Sequence, residues 1–147
     1  MRESVAPLLA RGLTRHLVQR DWIALPEMPL PNGRRADLMA LSRKGALWII
    51  EIKSSIEDFR SDQKWREYLP FCDGFFFATH AAVPLSTFPA ETGLFLADGF
   101  DAELLRPAPL LMPIPPATRK ALTIQMAFGG ARRWLAATDP DALRPDQ

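Results

Sequence analysis

The segment Trp48-Ile49-Ile50-Glu51-Ile52-Lys53 is an apolar run that sets a carboxylate and an ammonium two residues apart. In an extended strand both side chains leave the same face of a sheet. Upstream, past the turn signal Pro31-Asn32-Gly33, Asp37 opens a second strand-like run, and pairing of the two runs would bring a second carboxylate beside the first. Carboxylate oxygens suit a hard cation such as Mg²⁺. A cation held there stabilises charge on a phosphoryl oxygen and acidifies a bound water. A lysine at the next same-face position holds or deprotonates the attacking water and offsets developing negative charge. Asp37, Glu51 and Lys53 are therefore candidates for metal-assisted hydrolysis of a phosphoryl bond, with Asp37 and Glu51 as the metal ligands.

The bland alternative is a solvent-facing ion pair on an edge strand, because acid-x-Lys triplets recur by chance. A second triplet, Asp62-Gln63-Lys64, falls in an expected helix, where residues two apart point in different directions and do not share a site.

The elements that must position these residues are legible from periodicity. Val5, Leu8, Leu9, Leu13 and Leu17 recur at near-helical spacing across residues 3–20, predicting an amphipathic first helix. Residues 22–25, 36–41 and 46–53 read as strands, with Gly45 turning the chain into the third. Ser54 or Ser55 caps a helix expected to run to Tyr68, and Glu57 and Asp58 in its first turn suit the helix dipole. Pro70, Asp73 and Gly74 stop it, and residues 75–79, 93–97 and 103–106 read as further strands. Five prolines between Pro107 and Pro116 demand an extended connector. Thr118 is the expected cap of a last helix through Leu135, with Ile124, Phe128 and Leu135 facing inward. The order describes an α/β fold, a mixed sheet flanked by helices, in one domain over residues 1–138 with a polar tail at 139–147.

Composition narrows the function class. With 147 residues and 48% apolar content, the chain is long enough to bury a core and lies near the globular average. A formal net charge of +1 excludes a uniformly basic binder, although the stripe Arg11/Arg15 and the pair Arg132/Arg133 allow local positive potential. The single cysteine, Cys72, rules out an internal disulfide and a cysteine-based zinc site, and is expected to act as a small buried hydrophobe. Without an apolar leader or a membrane-length apolar run, the expectation is a cytoplasmic protein. His16 and His80 carry no clear assignment.

The motif resembles the PD-(D/E)xK nuclease superfamily, and within it the MmcB-like DNA repair proteins. The likeness rests on Arg35-Ala36-Asp37-Leu38, on Ile50-Glu51-Ile52-Lys53-Ser54-Ser55, and on Asp58-Phe59, Asp62, Lys64-Trp65, Tyr68, Cys72-Asp73 and Phe75. Ala36 stands where the motif has its proline. The resemblance implies a restriction-endonuclease-like core and Mg²⁺-dependent hydrolysis of DNA phosphodiester bonds, with Mn²⁺ as the substitute ion. It also implies Asp37 and Glu51 as metal ligands and Lys53 as the catalytic lysine. Relatives use a first-helix Glu as a further ligand, for which Glu3 and Glu27 compete here. Some place Gln and Tyr on the helix after the lysine, so Lys64, Tyr68 and Gln63 are candidate phosphate contacts. DNA is the expected partner, together with a second copy of the chain or a protein of a repair complex. The rival readings are a DNA-binding scaffold subunit without useful turnover, and a nuclease acting on RNA.

Overall fold

The computed structural model describes residues 5–145. Helix α1 (Ala6–Val18) leads into three strands, β1 (Trp22–Pro29), β2 (Arg35–Ser42) and β3 (Leu47–Ile52). Helix α2 (Ile56–Ser61) and a 3₁₀ segment (Trp65–Phe71) connect to β4 (Gly74–Thr79). Strands β5 (Gly93–Ala97) and β6 (Ala102–Arg106), then α3 (Pro116–Thr138) and a 3₁₀ turn (Pro140–Leu143), complete the chain. The six strands form one sheet in sequence order. Pairs β1–β2, β2–β3 and β5–β6 are antiparallel, whereas β3–β4 and β4–β5 are parallel. The sheet is mixed and helices cover it, as the periodicity predicts.

Strand β3 is interior, with β2 on one side and β4 on the other, and its alternation sorts the two cores. Ile50 and Ile52 join Leu38, Ala40, Phe76 and Phe95 against Leu9, Leu13 and Leu17 of α1. Ile49 joins Met39, Phe75 and Phe77 against Trp65, Tyr68 and the α3 residues Leu122 and Met126. Each fully buried Phe or Leu contributes roughly 1.5–3 kcal/mol of transfer free energy. The run Phe75-Phe76-Phe77, buried on both faces of β4, thus anchors the sheet beside β3.

Three expectations need correction. Strand β1 runs on to Pro29, because as an edge strand it tolerates proline at positions that need no ladder donor. The helix expected to Tyr68 stops at Ser61. Asp62 is extended (φ −132°, ψ 93°), and the chain resumes as a 3₁₀ segment containing Pro70. In a 3₁₀ turn residues i and i+3 eclipse, so Trp65 and Tyr68 both stack on Phe75, at centroid distances of 5.7 and 5.9 Å. That aromatic packing and the proline outweigh local helix preference.

The closing helix begins at Pro116, a residue suited to the first helical position, without a side-chain cap from Thr118. Its inward residues are Leu122 and Met126, while Ile124 and Phe128 are exposed and Leu135 is half-buried. Arg119 fixes this rotation. Its guanidinium donates to both carboxylate oxygens of Asp73 (2.6 and 2.8 Å) and to the Gly45 carbonyl (2.9 Å). Residues 119, 126, 130 and 133 then fall on one face by helical spacing.

Asp73 also accepts from the Leu47 N–H (2.7 Å), and Arg119 beside it holds its carboxyl below the usual range. A depressed folded pKa contributes stability that is present above the unfolded value, about 3.9, and is lost as pH falls through the folded value. Arg119→Ala is therefore expected to lower unfolding free energy by about 1–2 kcal/mol at pH 7. Urea melts of the two proteins should converge as pH drops from 5 toward 3; a gap independent of pH would show that the ion pair is not what the variant removes.

Candidate functional site

The ladder between β2 and β3 ends at Leu38↔Ile50. One position further on, the two strands exchange side-chain bonds in place of a backbone pair. The Asp37 N–H donates to Glu51 Oε2 (3.1 Å), and the Ile52 N–H donates to Asp37 Oδ2 (2.8 Å). Asp37 and Glu51 are thus brought together where the strands stop pairing. Glu51, beside Phe77 of β4, is only 3% exposed. Asp37 is half-buried and lines an open cleft of about 780 Å³, walled by Ala6 and Ala10 of α1, Pro26 and Glu27 of β1, and Arg133 of α3.

Burial pushes the Glu51 carboxyl up to about 9, and the adjoining Asp37 carboxylate adds to the rise. The Tyr68 hydroxyl lies beside it and donates to the Arg35 carbonyl (3.3 Å). Burial and Glu51 in turn push the Tyr68 phenol above its ordinary range. Two oxygen donors whose charges disfavour one another fit a hard divalent cation, which reverses that penalty. Among the described residues no group of three or more His, Cys, Asp or Glu is placed to hold a metal. The pair Asp37 and Glu51 is a number of carboxylates that could hold Mg²⁺, an ion that keeps several waters.

Lys53 emerges on the Glu51 face and is 7% exposed, but its ammonium is turned to the α2 side. It pairs with Asp62 at 3.1 Å and with Asp58 at 4.0 Å. The helical placement expected for the Asp62 triplet is corrected by the end of α2 at Ser61. The helix break at Asp62 swings that carboxylate to Lys53, and although burial pushes the Asp62 carboxyl up, Lys53 holds it below its ordinary value. The Lys53 backbone is fixed as well, its N–H on the Ala78 carbonyl (2.9 Å) and its carbonyl accepting from the Thr79 hydroxyl (2.7 Å). Asp58 sets the start of α2 in a reciprocal cap, accepting from the Ser54 N–H while its own N–H donates to Ser55 Oγ.

The remaining candidates separate cleanly. Gln63 donates to the Phe59 carbonyl (2.9 Å), Tyr68 is buried, and Lys64 is exposed. The helix face on which Lys64 and Tyr68 were to meet a phosphate does not form. Glu3 lies outside the described residues. Glu27 lines the cleft with Asp37, in a left-handed backbone conformation (φ +53°) at the step where β1 and β2 pass from Pro26↔Leu38 to Met28↔Ala36. Arg133 was visible only as half of a charged pair; its guanidinium donates to the Glu27 carbonyl (3.2 Å) at the cleft wall. His80 Nε2 is on the Ser54 carbonyl (2.8 Å). Cys72 is buried, its thiol pushed up to about 12 by burial and then by Asp73.

The family model described as DNA repair protein MmcB-like matches residues 2–141. A solved protein of unknown function from Silicibacter pomeroyi is 41% identical, with 96% of each chain covered and a TM-score of 0.91. No curated protein matches the chain. Among the described residues no helix is long and apolar enough to cross a membrane.

Proposed function

The chain belongs to the MmcB-like DNA repair protein family, and from that premise we propose that it is a Mg²⁺-dependent DNA endonuclease of the PD-(D/E)xK type. The observation that carries this reading is the opening of the β2–β3 ladder at Asp37 and Glu51, beside a cleft and one same-face step from Lys53. Asp37 and Glu51 are the metal ligands; Glu27 lines the same cleft, but among the described residues it does not join them in a three-carboxylate group. Mg²⁺, or Mn²⁺ in its place, would supply charge stabilisation at the phosphoryl oxygens and a more acidic water.

The protein's own groups do the rest. Glu51, anchored between two strands, sets the depth of the site, and Asp37 faces the cleft. Lys53 is oriented by Asp62, and in the proposed reaction it donates to a phosphate oxygen or orients the attacking water. Arg133, and Lys64 on the exposed side of the α2 connection, are suited to flanking phosphates. With so small a domain, a second copy or a repair partner would complete the grip on a duplex.

One observation favours the rival reading of a binding subunit without turnover: the Lys53 ammonium is already paired with Asp62 and Asp58. Nicking of branched and gapped DNA with Mg²⁺ or EDTA, by wild type and Lys53→Ala, separates the two. The nuclease reading expects cleavage that needs the metal and falls about 10²–10³-fold in the variant. Equal cleavage by the variant overturns the assignment of Lys53, and binding without cleavage by either protein establishes the scaffold.

A further inference from the structure

A second cavity, of about 330 Å³, lies beneath the C-terminal half of α1, against the first residues of β1 and β3 rather than the carboxylate end of β3. Its floor is aromatic. Trp22 stacks on Trp48 with ring centroids 3.9 Å apart, and Trp48 continues onto Phe76 at 4.6 Å and Phe95 at 6.4 Å. His16 forms part of the wall, edge-on to Phe95 and 6% exposed.

The His16 Nδ1 atom is buried and has no hydrogen-bond partner. The nearest charged group is Asp101 Oδ1 at 3.7 Å, beyond bonding distance, and that oxygen already accepts from the Ala102 N–H (2.8 Å). A buried polar atom without a partner costs about 1–3 kcal/mol; a leucine or phenylalanine at position 16 would close the same wall without that penalty. At the mouth stands Arg20, exposed, with one guanidinium N–H on the His16 carbonyl (3.0 Å).

Each wall selects a different part of one ligand. The tryptophan pair favours the face of a planar ring. His16 Nδ1 requires a polar atom on that ring's edge, which excludes a plain hydrocarbon. Arg20 favours an anion attached to the ring, against the opposing charge of Glu103 in the same lining, and a bare anion would make no use of the aromatic floor. The cavity volume lies at the lower end of the range for small-molecule sites, roughly 300–1,000 Å³. We propose that this cavity binds a nucleobase, stacked against the Trp22–Trp48 pair, with an edge atom on His16 Nδ1 and the attached phosphate on Arg20.

The base has two sources with the same chemistry, a free nucleotide or an unstacked base of a DNA strand. The second is favoured by α1 itself, because Ala10 in the cleft wall and His16 in this cavity are six residues apart, about 9 Å along the axis. The site does not depend on the carboxylate pair being catalytic.

Tryptophan fluorescence of the full chain is titrated with deoxynucleoside monophosphates, with the corresponding nucleosides, with deoxyribose 5-phosphate, and with DNA carrying or lacking an unpaired base. Saturable quenching by the monophosphates, or by the DNA with an unpaired base alone, is the expected result, and which of them saturates identifies the source. His16→Phe should weaken that binding about tenfold, the value of one hydrogen bond near 1.4 kcal/mol. Arg20→Ala should weaken the nucleotide and leave the nucleoside unchanged; being at an exposed position, it keeps the test valid if His16→Phe misfolds by circular dichroism. No saturation with any base-containing ligand, equal binding of deoxyribose 5-phosphate, or unchanged affinity in both variants overturns the proposal.

Discussion

Asp37→Asn is expected to slow the proposed Mg²⁺-dependent DNA cleavage about 10³-fold while leaving the protein folded. Asparagine keeps a side-chain oxygen at the position of Oδ2, so the Ile52 N–H retains its acceptor and the junction of β2 and β3 is not left with an unsatisfied donor. Only the formal charge goes. In the proposed nuclease that charge would be half of the anionic set offered to the metal, whose stabilisation of a transition state amounts to several kcal/mol. At about 1.36 kcal/mol per decade, single-turnover nicking should slow on the order of 10³-fold, and calorimetric Mg²⁺ binding should weaken in parallel. The melting temperature should not fall, because the change also removes a carboxylate that crowds buried Glu51. Retained Mg²⁺ affinity would exclude Asp37 as a ligand. Lost activity accompanied by unfolding would show that its role is to hold the two strands together.

The carboxylate pair is legible in the sequence because two strands of period 2 joined by a short turn fix which residues face one another, and Asp37 and Glu51 lie one step beyond Leu38↔Ile50. The burial of Glu51 is also foreseeable, since an apolar run such as Trp48–Ile52 suits an interior strand. Asp62 is not. Its role depends on α2 ending at Ser61, and local propensity favours continuing the helix. What stops it is tertiary, the stacking of Trp65 and Tyr68 on Phe75. The place of Arg133 at the cleft was missed for a related reason. The rotation of α3 is set by Arg119 reaching Asp73, 46 residues away, and not by the apolar stripe of the helix, which points equally well to Ile124 and Phe128. The His16 cavity combines both difficulties, because a lone histidine on an arginine-rich helix gives no sign that strands from both halves of the sheet will enclose it.

Glycine inside a helix ordinarily costs about 1 kcal/mol relative to alanine, and Gly129 and Gly130 of α3 follow that rule. A Cβ at either would meet only Leu25, at 3.7 and 3.8 Å, an ordinary contact, so Gly129→Ala and Gly130→Ala should each raise stability by up to about 1 kcal/mol. Gly12 of α1 should show the opposite sign. A Cβ there would lie 1.9 Å from the Asp98 carbonyl oxygen and 2.7 Å from that of Asp101. Both are backbone atoms of the β5–β6 turn, which the Asp98 side chain holds through the N–H groups of Phe100 and Asp101, so neither can step aside as a flexible side chain would. Overpacking of this kind costs about 1–3 kcal/mol and here exceeds the helix gain, so Gly12→Ala should lower stability by about 2 kcal/mol and the melting temperature by about 4–8 °C. Because Ala10 lines the carboxylate cleft and His16 the aromatic cavity, a shift of α1 off the turn would disturb both sites at once. Gly12→Ala should therefore lose DNA cleavage and base binding together while Asp37→Asn loses only the first. A Gly12→Ala protein as stable as wild type would mean that α1 does not depend on this close approach to the turn.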